Sequence, residues 1–173
     1  MKKVFIISLL LLLPLLHYGQ SETGMKYDEA LICQQLKAAS TYLTETKKFK
    51  GNKIRVDTLI RDGWGYEYLA NAYLANKLNV AVQDVYNQDK SEIGKIYASF
   101  EGKAYLSGYN VSSDCFTKTH NPNTLISKLD SNTMLLHITT SRLGKEGSSG
   151  KTYLFFFDDN NNVETLHETS WIE

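Results

Sequence analysis

The chain of 173 residues has only two cysteines, Cys33 and Cys115, and carries no formal net charge. It lacks any long basic run. The densest cluster, Lys47-Lys48-Phe49-Lys50 with Lys53 and Arg55, is short and reads as a solvated helix end, where cations suit the negative helix pole. A nucleic-acid partner is therefore not expected. It also lacks 18 continuous apolar residues, the length that a membrane-spanning helix needs. The apolar stretch Val4–Leu16 is broken by Ser8 and Pro14.

Local ligand and phosphate motifs are missing as well. His120, His137 and His167 show no close spacing of the His-x-x-x-His kind, so no metal site is expected. Asp158, Asn160 and Asn162 match the first oxygen positions of a calcium loop. The glycine at its sixth place is replaced by Val163, and the glutamate at its twelfth by Thr169. A hairpin turn is the better reading, because Asp and Asn side chains bind turn amides. The loop Gly144–Gly150 has no Gly-Lys-Ser or Gly-Lys-Thr end and leads toward a strand, not a helix. It therefore has no helix terminus for a phosphate. No cofactor is expected, and no internal repeat is seen.

What is present begins with an export pattern. Met1-Lys2-Lys3 is a basic start, Val4–Leu16 an apolar middle, and His17-Tyr18-Gly19-Gln20-Ser21 a polar cleavage region. The expectation is a signal peptide over 1–20, a periplasmic or secreted location, and no integral membrane anchor after cleavage. Cleavage before Ser21 leaves 173 − 20 = 153 residues, with 19 − 2 = 17 basic against 19 acidic. That length suits one domain, 21–173. An oxidising compartment permits a disulfide between Cys33 and Cys115.

The mature part reads as α+β: N-terminal helices packed on one face of a twisted, mainly antiparallel sheet of about five strands. Ile32, Leu36, Ala39 and Leu43 recur at helical spacing within Tyr27–Lys48. Ala30, Leu31, Ala38 and Tyr42 widen that face. Asp62-Gly63-Trp64-Gly65 is a turn, and Tyr66, Leu69, Ala70, Tyr73, Leu74 and Leu78 define a second helix. Arg55–Ile60 and Val80–Tyr86 are open between strand and helix. Ile93–Phe100 and Lys103–Tyr109 around Glu101-Gly102 read as a hairpin, and Asn110–Asn123 as a loop. Met134–Thr140 alternates as a strand. Tyr153–Phe157 has no polar face and is expected inside the sheet with both sides covered. Val163–Thr169 is a last strand.

A nucleophilic cysteine has little support. Cys33 lies within a helix, away from the N-terminus or cation that lowers a thiol pKa, and Cys115 has Asp114 beside it. No catalytic residue is assigned, which favours a binding protein over an enzyme. The expected function is protein–protein recognition, inhibitor-like or immunity-like, with another extracytoplasmic protein as partner. A cysteine-dependent hydrolase and an envelope accessory domain are the alternatives. The expected partner-binding residues are Trp64, Tyr68, Lys145, Ser148 and Ser149. They combine aromatic anchors with an adaptable glycine-serine loop.

Overall fold

A computed structural model describes residues 26–46, 54–100, 108–111, 123–139 and 147–172. The expected signal segment 1–20, the basic run from Lys47 to Lys53, Cys115, His120 and Lys145 lie outside them. Helix α1 spans Glu29–Glu45. Strand β1 (Val56–Asp62) leads into a 3-10 turn at Tyr66–Leu69 and helix α2, Ala70–Leu78. A second 3-10 turn, Val82–Asn87, precedes helix α3, Lys90–Phe100. Strands β2 (Gly108–Asn110), β3 (Thr124–Asp130), β4 (Thr133–Thr139), β5 (Ser149–Phe157) and β6 (Val163–Ile172) follow.

The strands form one sheet of order β2-β1-β3-β4-β5-β6. Only β1 and β3 are parallel; all other neighbours are antiparallel. This is the expected α+β class with a mainly antiparallel sheet, of six strands. The helices divide between its faces. α1 precedes the sheet and lays Ile32, Leu36, Ala39 and Leu43 on one side, against Met134, Leu136, Ile138, Tyr153, Phe155 and Phe157. The connection from β1 to its parallel neighbour β3 carries the other helices. A parallel pair requires a crossover, and this one covers the opposite face. There Tyr66, Ala72, Tyr73 and Phe100 meet Leu129, Leu135, Leu154 and Phe156.

The alternation of β4 and β5 thus feeds two cores. All seven residues of β4 are buried. β5 is an interior strand, with Tyr153, Phe155 and Phe157 facing α1 and Leu154 and Phe156 facing the second layer. The continuous apolarity of Tyr153–Phe157 has this cause.

Two readings change, and one strand is added. Residues 93–100 are helical, not a strand. Asp89 caps that helix: its carboxylate accepts from the Ser91 amide at 2.6 Å. Ile93, Ile96 and Phe100, three and seven residues apart, are the residues that reach the core. Tyr66–Leu78 is a 3-10 turn continuing into α2, which stops at Asn79 in the left-handed region (φ 52°). Thr124–Asp130, for which alternation gives no signal, is a central strand. Ser127 and Lys128 are fully buried there beside Ile126 and Leu129, so its polar residues hide a buried strand.

Candidate functional site

The turn after β1 is shaped by two glycines with left-handed backbone, Gly63 (φ 71°) and Gly65 (φ 74°). A side chain at Gly63 would also meet the Phe100 ring, its Cβ lying 2.5 Å from that ring's Cδ1. The Gly63 amide donates to the Lys128 carbonyl oxygen at 2.9 Å, fixing the turn to β3. Trp64 is thereby held half-buried, edge-on to the His137 ring at 5.5 Å. Tyr68, in the 3-10 turn, lies 6.0 Å from the same ring and is 49% exposed.

His137 comes from β4 and is buried. Its Nδ1 is hydrogen-bonded to the hydroxyl of Thr152, its cross-strand neighbour on β5, at 2.9 Å. Trp171 of β6 stacks on His137 with ring centres 4.4 Å apart and planes 8° from parallel. β6 is not adjacent to β4, so the indole must cross β5. It does so over Gly150, the β5 partner of Trp171. A Cβ at Gly150 would meet the Trp171 ring at 2.5 Å and collide with the Ile138 carbonyl oxygen. The absent side chain is therefore what admits the stack. Trp171 Nε1 is buried with no hydrogen-bond partner among the described residues.

Of the expected partner-binding residues, the structure brings Trp64 and Tyr68 together on His137. Ser149 begins β5, half-buried, beside Gly150, and Ser148 is buried. Lys145 lies outside the described residues. Sequence reasoning missed His137, Trp171 and Gly150 as members of this cluster. The available signal was the pairing of a strand glycine with a tryptophan on the next strand, which requires register to be read.

The layer that carries Tyr68 also exposes Tyr86 (78%) and Tyr97 (44%). The Asn71 side-chain amide donates to the Tyr86 hydroxyl at 2.7 Å. Tyr97 leans on Tyr66 with ring centres 5.8 Å apart. Burial raises the Tyr66 hydroxyl pKa far above its ordinary value.

A second polar cluster, at the end of β3, reaches α1 on one face and α2 on the other. Lys128 is fully buried on β3. Its ammonium donates to Gln35 Oε1 and to the Ser131 carbonyl, the latter at 3.2 Å, and sits 5.6 Å from the centre of the Tyr27 ring. Burial lowers its pKa to about 7, against a smaller upward pull from Asp130. Gln35 also donates to the Ser131 carbonyl and to Asn161 Oδ1, at 2.9 and 2.8 Å, tying α1 to two hairpin turns. Asp130 accepts from Tyr73 at 2.9 Å and pairs with Lys77. Burial alone would raise its pKa, but these partners hold it below the ordinary carboxylate value. Lys26 pairs with the buried Asp62 at 3.0 Å.

The Asp158–Asn162 segment is a turn. Asp158 Oδ1 accepts from the amides of Asn160 and Asn162 at 2.9 and 2.8 Å. Among the described residues, no group of three His, Cys, Asp or Glu is placed to hold a metal ion, and no cysteine is free. His167 packs edge-on against Phe156. Also among the described residues, no helix is long and apolar enough to cross a membrane. Compared with protein-family models, curated proteins and solved structures, the chain matches none.

Proposed function

We propose that this chain is an exported recognition protein that binds another extracytoplasmic protein through the outer face of its second helical layer. The supporting observation is that this layer presents three tyrosines, Tyr68, Tyr86 and Tyr97, each at least 44% exposed, on a well-anchored base. Tyrosine supplies large contact area with only two side-chain torsions to immobilise, so it loses little entropy on binding. Tyr68 rests by His137 and Trp64, Tyr97 rests by Tyr66, and Tyr86 is tethered by Asn71. Such preorganisation reduces the cost of association.

The test is affinity capture from the envelope fraction with the wild-type protein and with Tyr68→Ala and Tyr86→Ala. The expected result is one protein retained by the wild type and weakened by at least about 2 kcal/mol in the variants. Their folding stability should move by less than about 1 kcal/mol. Equal retention by all three proteins would overturn the proposal.

A further inference from the structure

A groove of about 360 Å³ runs between α1 and the β5–β6 turn, on the opposite side of the sheet from the tyrosine face. Its size is within the usual range for small-molecule sites. One wall is a stripe of α1 at helical spacing: Gln34, Ala38, Tyr42 and Glu45, flanked by Lys37 and Thr41. Positions 34 and 45 are 11 residues apart, so this wall is about 16 Å long at 1.5 Å per residue. The other wall is Asn160-Asn161-Asn162 and Val163.

The groove has an apolar base and a rim rich in amides. Ala38, Tyr42 and Val163 are half-buried and pack against the α1-side core. Tyr42 stands edge-on to Phe155, with ring centres 6.4 Å apart, which fixes its orientation. Four side-chain amides line the groove, from Gln34 and the three asparagines, that of Asn162 donating to Asp158 Oδ2 at 3.2 Å within the turn. Each amide has two donors and an acceptor oxygen. Asn161 carries the left-handed backbone (φ 62°) that the turn requires, and Gln35 holds its Oδ1 from below. The bonds joining the two walls, Gln34 to the Asn160 carbonyl and Asn161 to Gln34, are long at 3.3 and 3.4 Å. They are weak bonds that a better-placed ligand can replace. Lys37 and Glu45 are the charged residues of the lining, one of each sign.

We propose that this groove binds a short neutral saccharide. Paired donors and acceptors without net charge match hydroxyl groups, which both give and take hydrogen bonds. The C–H face of a sugar ring fits the shallow base of Ala38, Tyr42 and Val163. The lining carries one basic and one acidic residue, Lys37 and Glu45, so it has no net charge to favour an anion. A peptide would want a deep side-chain pocket, and the groove is shallow, walled by a helix and by a turn that reaches only the first residue of β6.

The experiment is a titration of the full protein, followed by NMR of its side-chain amides and of the Tyr42 ring. The probes are cellobiose, maltose, lactose and chitobiose, each to about 50 mM, since shallow sites bind in the millimolar range. A neutral tetrapeptide amide is the control. The expected result is saturable shifts at Gln34, Asn160–Asn162 and Tyr42 with at least one saccharide. The double variant Gln34→Ala/Asn160→Ala should weaken binding at least about tenfold. Both positions are exposed, so its melting temperature should stay unchanged. Absence of shifts with every saccharide, shifts that persist in the variant, or shifts produced by the peptide instead would each overturn the proposal. Tyr68→Ala should leave this binding intact, which separates it from the tyrosine face.

Discussion

At the scale of single residues, Lys128 is a costly placement, a fully buried lysine. Among the described residues it has no carboxylate in direct contact and is satisfied by an amide oxygen, a carbonyl and an aromatic ring. Its folded pKa is about 7, against 10.5 when exposed. Between those values the unfolded chain holds a proton that the folded chain has lost, so stability rises with pH across that window. Below about pH 7 both states are protonated and this contribution is flat. Tyr73 and Tyr109 act oppositely, because burial raises their pKa above 10 and favours unfolding only in stronger alkali. Urea unfolding between about pH 7 and pH 9.5 therefore isolates the lysine. The wild type should gain stability over that interval, and Lys128→Met should lose most of the gain. An unchanged slope in the variant would show that Lys128 is not its source. Asp130 has a depressed pKa, so its contribution is present above about pH 4 and is lost as pH falls through the lowered value.

Gly150 is the other decisive residue. Gly150→Ala would put a methyl group into the Trp171 ring and the Ile138 carbonyl. The expected loss is about 1–3 kcal/mol, with the indole displaced from His137. Tryptophan fluorescence should report the displacement, and an unchanged emission spectrum would count against the stack.

At the scale of elements, helix propensity and strand burial were legible to different degrees. α1 was plain because its apolar residues recur on one face; in the structure Asp28 caps it, accepting from the Ala30 amide at 2.9 Å. β5 was plain because five successive apolar residues leave no solvent face. α3 was obscured by Gly94 in its middle and by Ile and Tyr residues that also suit strands. Its cap is the better clue, and Asp89→Ala should cost about 1 kcal/mol in urea unfolding. In β5, Phe155→Ala should cost roughly 3–5 kcal/mol, since the side chain is fully buried between α1 and the sheet. A loss below about 1 kcal/mol would mean that this strand is not core.

At the scale of the whole molecule, the two helical layers give two chemically different outer faces. The layer of α2 and α3 exposes tyrosines, whereas α1 and the β5–β6 turn expose amides. Cys33 is half-buried beside the α1-side core. We propose that it is linked to Cys115, 115 − 33 = 82 residues away. Closing such a loop contributes about 4–5 kcal/mol in the chain-entropy account. Thiol labelling of the denatured, unreduced protein should find no free cysteine, and labelling of both would exclude the link. We propose that residues 1–20 are removed on export, so intact mass of the mature protein should match a chain beginning near Ser21.

Composition and periodicity alone determined the α+β class, the apolar face of α1, the buried β5 and the Asp158–Asn162 turn. Each follows from near neighbours in the chain, where spacing and turn chemistry act directly. Tertiary structure decided what depends on register and crossover. It placed helices on both faces, because the β1-to-β3 connection must cross the sheet. It buried Lys128 in a central strand that has no alternating signal. It gathered Trp64, Tyr68, His137 and Trp171, from four separate elements, around a glycine whose missing side chain has meaning only once β5 lies between β4 and β6.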